Sequence, residues 1–316
     1  MALDSREVNA CSALAHLSDL HLGPLPEGAA RRHFALKRSI GAANWRLRRH
    51  KQHDPAVAAA LAMDIRAANP DHVACTGDIV NVAAHAEFPA AAAWLADFGP
   101  PDWISFVPGN HDTYMRLRWE NGLVHLAPYM DGDMKVRLTQ TSHQIATPFP
   151  YVRLRRNVAL IGLCSGEPQN LFKAAGRLGE TQLESLASLL RDLRERGYAR
   201  VLMIHHPPLP GLASPRKALV DAGPLRDLLV REGAELALHG HNHEPMLTPL
   251  ETRFGLLNVL GVPSASIARP THHPAAAWNN YRITRSGGKW LTQVTVRGWN
   301  DEHRHMETRD EFALST

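Results

Sequence analysis

Residues 103–112 read Trp-Ile-Ser-Phe-Val-Pro-Gly-Asn-His-Asp, an apolar run of strand length that stops at proline and glycine. The stop delivers three donor side chains in a row, Asn110, His111 and Asp112. Ligands of open α/β sheets bind beyond the carboxyl ends of strands, so such a terminus is where chemistry is expected. The construction recurs along the chain. Ser12–Ser18 runs into Asp19-Leu20-His21, and Asp71–Thr76 into Gly77-Asp78. Arg200–Ile204 runs into His205-His206-Pro207-Pro208, and Glu235–Leu238 into His239-Gly240-His241-Asn242-His243. One such cluster alone reads as turn-forming or capping polar residues. Five clusters in step with five strand ends imply a single rim lined with oxygen and nitrogen donors.

Between these strands the periodicity is helical. Pro55–Ala68 begins with a proline suited to a first turn, Glu87–Phe98 stops at Gly99-Pro100-Pro101, and Thr181–Arg196 carries leucines at 183, 186, 189, 190 and 193. Pro224–Glu232 is a further helix, and the alternation of strand and helix predicts an α/β fold. Val152–Leu154 and Val158–Leu163 flank Arg155-Arg156-Asn157 as a hairpin. Leu256–Val262, Trp278–Ile283 and Trp290–Val296 read as consecutive antiparallel strands that complete a second sheet. One domain is expected over 1–300, with 301–316 as a charged, frayed tail. The irregular stretch 113–150 is the candidate cap or partner surface, and the place where a homo-oligomer would form.

Composition narrows the class. The 316 residues are 44% hydrophobic and 21% charged, which excludes a disordered chain or a coiled coil. Apolar runs such as Ala56–Met63 fall far short of the ~18–20 residues that span a bilayer. No secretory pattern is visible at the start, and the three widely spaced cysteines argue against a disulfide scaffold or a thiolate zinc site. A cytoplasmic location is therefore expected, peripheral to the inner membrane face if the basic segment docks there. That segment holds Arg31, Arg32, Lys37, Arg38, Arg46, Arg48, Arg49 and Lys51 with no acid among them. Taking those eight from 35 basic side chains leaves 27 against 31 acidic ones, so the surplus of +4 resides in 31–51 alone. The segment could meet an anionic membrane surface or nucleic-acid phosphates, steer an anionic substrate, or be a solvated basic excursion. Gly41 is expected to divide it into two short helices. No nucleic-acid-binding module is evident.

The ordered series Asp-x-His, Gly-Asp, Gly-Asn-His-Asp, His-x-Pro, Gly-His-x-His resembles the calcineurin-like (binuclear) metallophosphoesterase superfamily. Ser18-Asp19-Leu20-His21, Gly77-Asp78, Pro108–Asp112 and His205–Pro208 are most similar to the class III cyclic-nucleotide phosphodiesterase and bacterial glycerophosphodiesterase branch. The motifs run from Asp19 to His243, about seven-tenths of the chain. The resemblance implies a four-layer α-β-β-α sandwich of two mixed sheets flanked by helices. It also implies two transition-metal ions (Mn, Fe, Zn or Co), one held by Asp19, His21, Asp78 and His243, the other by Asp78, Asn110, His205 and His241. Asp78 would bridge them, and ligation by nitrogen and oxygen without sulfur agrees with such metals. His111 matches the non-ligand histidine that donates to a phosphoryl oxygen or protonates the leaving alkoxide. The implied reaction is attack of a metal-activated hydroxide on a small phosphodiester, a cyclic nucleotide or glycerophosphodiester. The alternative is a membrane-associated pyrophosphatase or phosphatase acting on a lipid-linked nucleotide.

Three neighbours of the motifs are read both ways. His206 is second in its motif and is either a substrate-side group or a buried partner. Asn81 resembles a substrate-side residue, or else structures its loop. Asp112 either orients His111 or caps a following helix, with the cap preferred. His239 is read as core, and His272 and His273 lie near no motif.

Overall fold

The computed structural model describes residues 11–26, 36–133, 149–270 and 272–315. Arg31, Arg32 and Phe34 of the basic segment, and 134–148 of the candidate cap, lie outside the described residues. Strand β1 (Ser12–Leu17) is followed by helix α1 (Leu36–Leu47), a 3-10 turn (Arg49–Lys51) and helix α2 (Pro55–Ala68). Helix α2 starts where it does because the Asp54 carboxylate accepts from the Ala56 N–H at 2.8 Å while Pro55 has no N–H to satisfy. Strand β2 (His72–Cys75), helix α3 (Glu87–Phe98) and strand β3 (Ile104–Phe106) follow. Strands β1, β2 and β3 are mutually parallel, so the donors that follow them emerge at one end of the sheet.

The second half repeats the plan. Strands β4 (Tyr151–Arg155) and β5 (Val158–Gly162) form the expected hairpin. Helix α4 (Glu180–Glu195), strand β6 (Ala199–Met203), helix α5 (Ala222–Glu232) and strand β7 (Leu236–His239) then place β5, β6 and β7 in parallel register. Alternation along these strands sorts the core into layers. Leu160, Val201, Met203, Leu236 and Leu238 pack with the first-sheet residues Leu14, Val73 and Phe106, whereas Ile161, Leu202, Ala237 and Val259 pack with leucines of α4 and α5. Two mixed sheets, flanked by helices, therefore face each other.

The late strands depart from expectation. Strand β8 (Met246–Thr252) precedes β9 (Gly255–Gly261), and β9 runs parallel to β7 in the second sheet, ordered β4-β5-β6-β7-β9-β8. Strands β10 (Ala277–Ser286), β11 (Lys289–Asn300) and β12 (His305–Ser315) instead join the first sheet, ordered β12-β11-β10-β1-β2-β3. Only 255–261 of the predicted late strands thus completes the second sheet, since β10 pairs antiparallel with β1. The 301–316 tail is not frayed: most of it is edge strand β12, paired with β11 and burying Met306 and Leu314. Its charges are the outer face of an edge, which discourages further pairing and reads as a tail in sequence.

The basic segment also differs. Helix α1 runs unbroken through Gly41, where a Cβ would approach the Tyr114 hydroxyl and Val82 Cγ1 to 3.0 Å. Glycine is there for close packing, not as a break. Trp45 is buried, whereas Leu47 is exposed. Lys37 Nζ donates to the Tyr114 and Gln169 carbonyls at 2.7 and 2.8 Å, and buried Arg38 donates to the Ala83 carbonyl. Among the described residues no helix is long and apolar enough to cross a membrane.

Truncating a side chain inside β12 separates strand from tail. Leu314→Ala is expected to cost about 2–4 kcal/mol, the range for a buried leucine. Urea denaturation measures it, and an unchanged midpoint would show that the C-terminal residues do not belong to the sheet.

Candidate metal centre

The loops after β1, β2, β3, β6 and β7 meet at one rim between the sheets. The backbone knits them together: Asp19 N–H donates to the Gly77 carbonyl and His21 N–H to the Asp78 carbonyl, both at 2.9 Å. Within the second sheet, Gly240 N–H donates to the His205 carbonyl at 3.1 Å. Two glycines permit the convergence. A Cβ at Gly109 would overlap the Asp78 carboxylate, and one at Gly240 would overlap Ser18 Oγ and the Asp19 carboxylate. Asp19, His21, Asp78, His241 and His243 all adopt positive φ, between 43° and 69°. Left-handed backbone at five of the seven expected ligand positions is a concentration of strain of the kind that marks functional sites.

All seven side chains gather into two groups that share a carboxylate. Asp19, His21 and His243 offer ligand atoms within 4.8 Å of one another, as do Asp78, His205 and His241. In the first group, His243 Nε2 lies 3.1 Å from Asp19 Oδ1 and 3.4 Å from His21 Nε2. In the second, His205 Nε2 lies 3.3 Å from Asp78 Oδ2, 3.1 Å from Asn110 Oδ1 and 3.2 Å from His241 Nδ1. Asp78 Oδ2 is also 3.9 Å from His21 Nε2, which makes it the atom common to both groups. Donors bound to one ion at ~2.1 Å stand about 3.0–3.4 Å apart, so most of these separations would suit side chains that share an ion.

The outer contacts aim the ligand atoms inward. Asp78 Oδ1 accepts the His111 N–H at 2.7 Å, and Asp19 Oδ2 accepts the His241 N–H at 2.9 Å, leaving Asp78 Oδ2 and Asp19 Oδ1 toward the centre. His205 Nδ1 donates to the Thr76 carbonyl at 2.7 Å, which turns Nε2 toward Asp78 and Asn110. Burial opposes the ionisation of both aspartates, yet His243 beside Asp19 and His205 beside Asp78 hold each carboxyl below its usual range. Asp19 Oδ1 is buried with no hydrogen-bond partner. An orphaned carboxylate oxygen in a nitrogen and oxygen donor set fits a pair of transition-metal ions.

The neighbouring residues sort differently from their sequence reading. His206 Nδ1 bonds Ser165 Oγ at 2.8 Å and Nε2 bonds the Ala174 carbonyl at 3.1 Å, so both ring nitrogens are engaged away from the rim. Burial beside His205 drives its pKa down to about 3, and it is a buried partner rather than a substrate group. Asn81 is buried too, and its amide donates to the Leu22 carbonyl at 2.7 Å, a loop-structuring role. Asp112 neither caps a helix nor touches His111. Its two oxygens accept the N–H groups of Asp78, Ile79, Val80 and Gly109 at 2.7–3.1 Å, fastening the bridging aspartate's loop to its own. Burial and the adjacent Asp78 charge push its carboxyl up to about 7.

A cavity of ≈670 Å³ opens over the centre, lined by His111, His241 and His243 among others. Residues absent from every motif also reach it. Arg49 turns in from the basic segment, its Nη2 donating to His21 Nε2 at 2.8 Å and its Nη1 to His111 Nε2 at 3.1 Å. For His21 to ligate through that nitrogen, the guanidinium must turn aside. His53 stacks on Trp45 and tilts against His21, with ring centroids 5.8 and 4.6 Å away, and the His273 ring lies 5.1 Å from that of His243. The basic run held a signal for Arg49, but nothing in it separated an inward arginine from a solvated one.

The calcineurin-like phosphoesterase model matches residues 13–245. The chain belongs to that family. It is thereby a metal-dependent phosphoric-ester hydrolase of a binuclear type. A probable cyclic nucleotide phosphodiesterase of Synechococcus sp. is 24% identical over 285 residues, covering 89% of this chain and 91% of the relative. Among solved structures, a dimetal phosphatase from Danio rerio superposes with a TM-score of 0.62 at 13% identity, covering 96% of this chain and 98% of that one. A purple acid phosphatase from yellow lupin gives 0.57 at 12% identity, covering 98% of this chain and 54% of the other. Both show the sandwich fold of this phosphoesterase.

Asp112→Asn tests the fastening. The new amide would turn a donor onto two backbone N–H groups, at about 1–3 kcal/mol each, and metal affinity should fall about 10–100-fold. Urea midpoints and metal content by mass spectrometry report both. An N-cap would accept asparagine with little change.

Proposed function

We propose that this phosphoesterase is a phosphodiesterase acting on a small diester, a cyclic nucleotide or glycerophosphodiester. The observation that carries the reading is the placement of His111. Its backbone N–H is bonded to the bridging Asp78, and its imidazole stands at the cavity beside a complete set of seven ligands. The name of the Synechococcus relative supports the same class.

The chain's own residues perform the following work. Asp19, His21, Asp78, Asn110, His205, His241 and His243 would hold two ions. When bound, these supply Lewis acidity toward phosphoryl oxygens and bring the pKa of water down to about 7. His111 Nδ1 is bonded to the Asn81 carbonyl, which leaves Nε2 facing the cavity. Burial and the Arg49 charge lower its pKa to about 4. An anionic phosphoryl group that draws Arg49 onto itself removes that opposition and favours a proton on Nε2. Nε2 can then donate to a phosphoryl oxygen or protonate the leaving alkoxide. The membrane-bound pyrophosphatase reading drew on the basic, Trp-bearing segment, and Trp45, Lys37, Arg38 and Arg49 all turn into the protein.

His111→Ala should retain both ions and lose about 10²–10⁴ in turnover of bis(p-nitrophenyl) phosphate with Mn²⁺. Loss of metal on that substitution would remove His111 from the role. p-Nitrophenyl phosphate, cyclic AMP and glycerophosphocholine complete the panel, and preference for the monoester would overturn the diesterase reading.

A further inference from the structure

The cavity over the metal centre carries more positive charge than one diester phosphate requires. Arg48, Arg49 and Lys217 all line it, and none of them forms an ion pair with a described residue. The flanking groups are imidazoles and amides, including His272 and His273, and Asp78, already committed to the centre, is the only carboxylate among the described lining residues. The cations also stand on different sides. Arg49 is bonded to His21 and His111, whereas Lys217 comes from the loop between β6 and α5 and lines the cavity together with His241 and His273. Apart from imidazoles, the described lining offers no aromatic face for a nucleobase, and Ala174 is its one apolar side chain. A half-enclosed cavity lined by one sign of charge concentrates ligands of the other sign.

We propose that the substrate is a phosphodiester whose non-reacting part carries a further phosphate, held by Lys217 and Arg48 at the rim while Arg49 faces the reacting group. The proposal rests on the diesterase reading for the bond that breaks and adds the charge of the remainder. Arg48 and Lys217 are exposed at the rim, where a hydrophobic or cationic remainder gains nothing from them, whereas a phosphate accepts charge-assisted hydrogen bonds from each.

A matched pair of substrates tests it. Thymidine 5′-(p-nitrophenyl phosphate) and its 3′-phosphorylated counterpart share one reacting diester and differ only in the remote phosphate. With the Mn²⁺-loaded protein, the 3′-phosphate is expected to lower KM about tenfold, the size of charge-assisted contacts screened at a rim. Lys217→Met and Arg48→Met should each shrink that ratio of KM values. Calorimetry supplies a readout without turnover: methylenediphosphonate should bind about tenfold tighter than methylphosphonate, and Lys217→Met should narrow the gap. Equal KM values for two hydrolysed diesters, with equal phosphonate affinities, overturn the remote phosphate and leave the diesterase standing. Hydrolysis of p-nitrophenyl phosphate with neither diester turned over overturns the diesterase, and the phosphonate pair still decides whether the rim selects a second charge.

Discussion

The centre depends on how two buried carboxylates divide their oxygens. Asp19 and Asp78 each give one oxygen to a backbone N–H, from His241 and His111 respectively, and keep the other for the middle of the site. Each bond therefore joins a loop of one strand to a loop of another, and for Asp19 the two lie in different sheets. A carboxylate with both oxygens solvated would rotate and lose the register between the groups. Because the oxygens are divided, the distance between the two ligand groups is set by backbone, which is the stiffest part of the molecule at that point.

That rigidity is paid for in conformational strain. Left-handed backbone at five ligand positions costs on the order of 1–2 kcal/mol per residue, and the surrounding contacts must hold it. Asp112 provides four of those contacts from one side chain, and Ser264 Oγ adds another by donating to the Asp19 carbonyl at 2.6 Å. The glycines of the motifs belong to the same arrangement, since a methyl group at 109 or 240 would displace a ligand carboxylate. Strain, close approach and charge thus fall on one rim, while the helices and the intersheet core carry the stability.

What could be read in the sequence follows from this division. The central strands were legible because they are buried on both faces and end in polar clusters, and α2 and α3 because their caps and breakers are explicit. All seven candidate ligands were legible as one cluster because each sits shortly after a strand. Strand β8 was not, since it is an edge strand that buries no side chain and carries Pro249, and β12 was not, since an edge strand covered in charge has the composition of a tail. The sheet joined by β10 to β12 was misassigned because pairing with β1 is a contact across most of the chain, which local periodicity does not encode. Asp112 and Asn81 were ambiguous for a similar reason: a short polar side chain in a loop states that it bonds to backbone, not which backbone.

Arg49 shows where such reading stops. In sequence it is one of eight like charges, and like charges in a row are ordinarily solvated. In the structure the helix before it is anchored by Trp45 and by Lys37, whose amine is spent on two carbonyls, and the following 3-10 turn carries Arg49 inward while His50 and Lys51 stay exposed. The guanidinium is carried over Asp19 and Asp78, whose charges favour it there against a large desolvation cost. A cation so placed is balanced by the two carboxylates as long as they have no other partner. Were ions held by those carboxylates, the balance would be lost and the guanidinium would be free to meet an anion instead. The segment that reads as a surface patch in the sequence thus places one of its charges over the candidate metal centre.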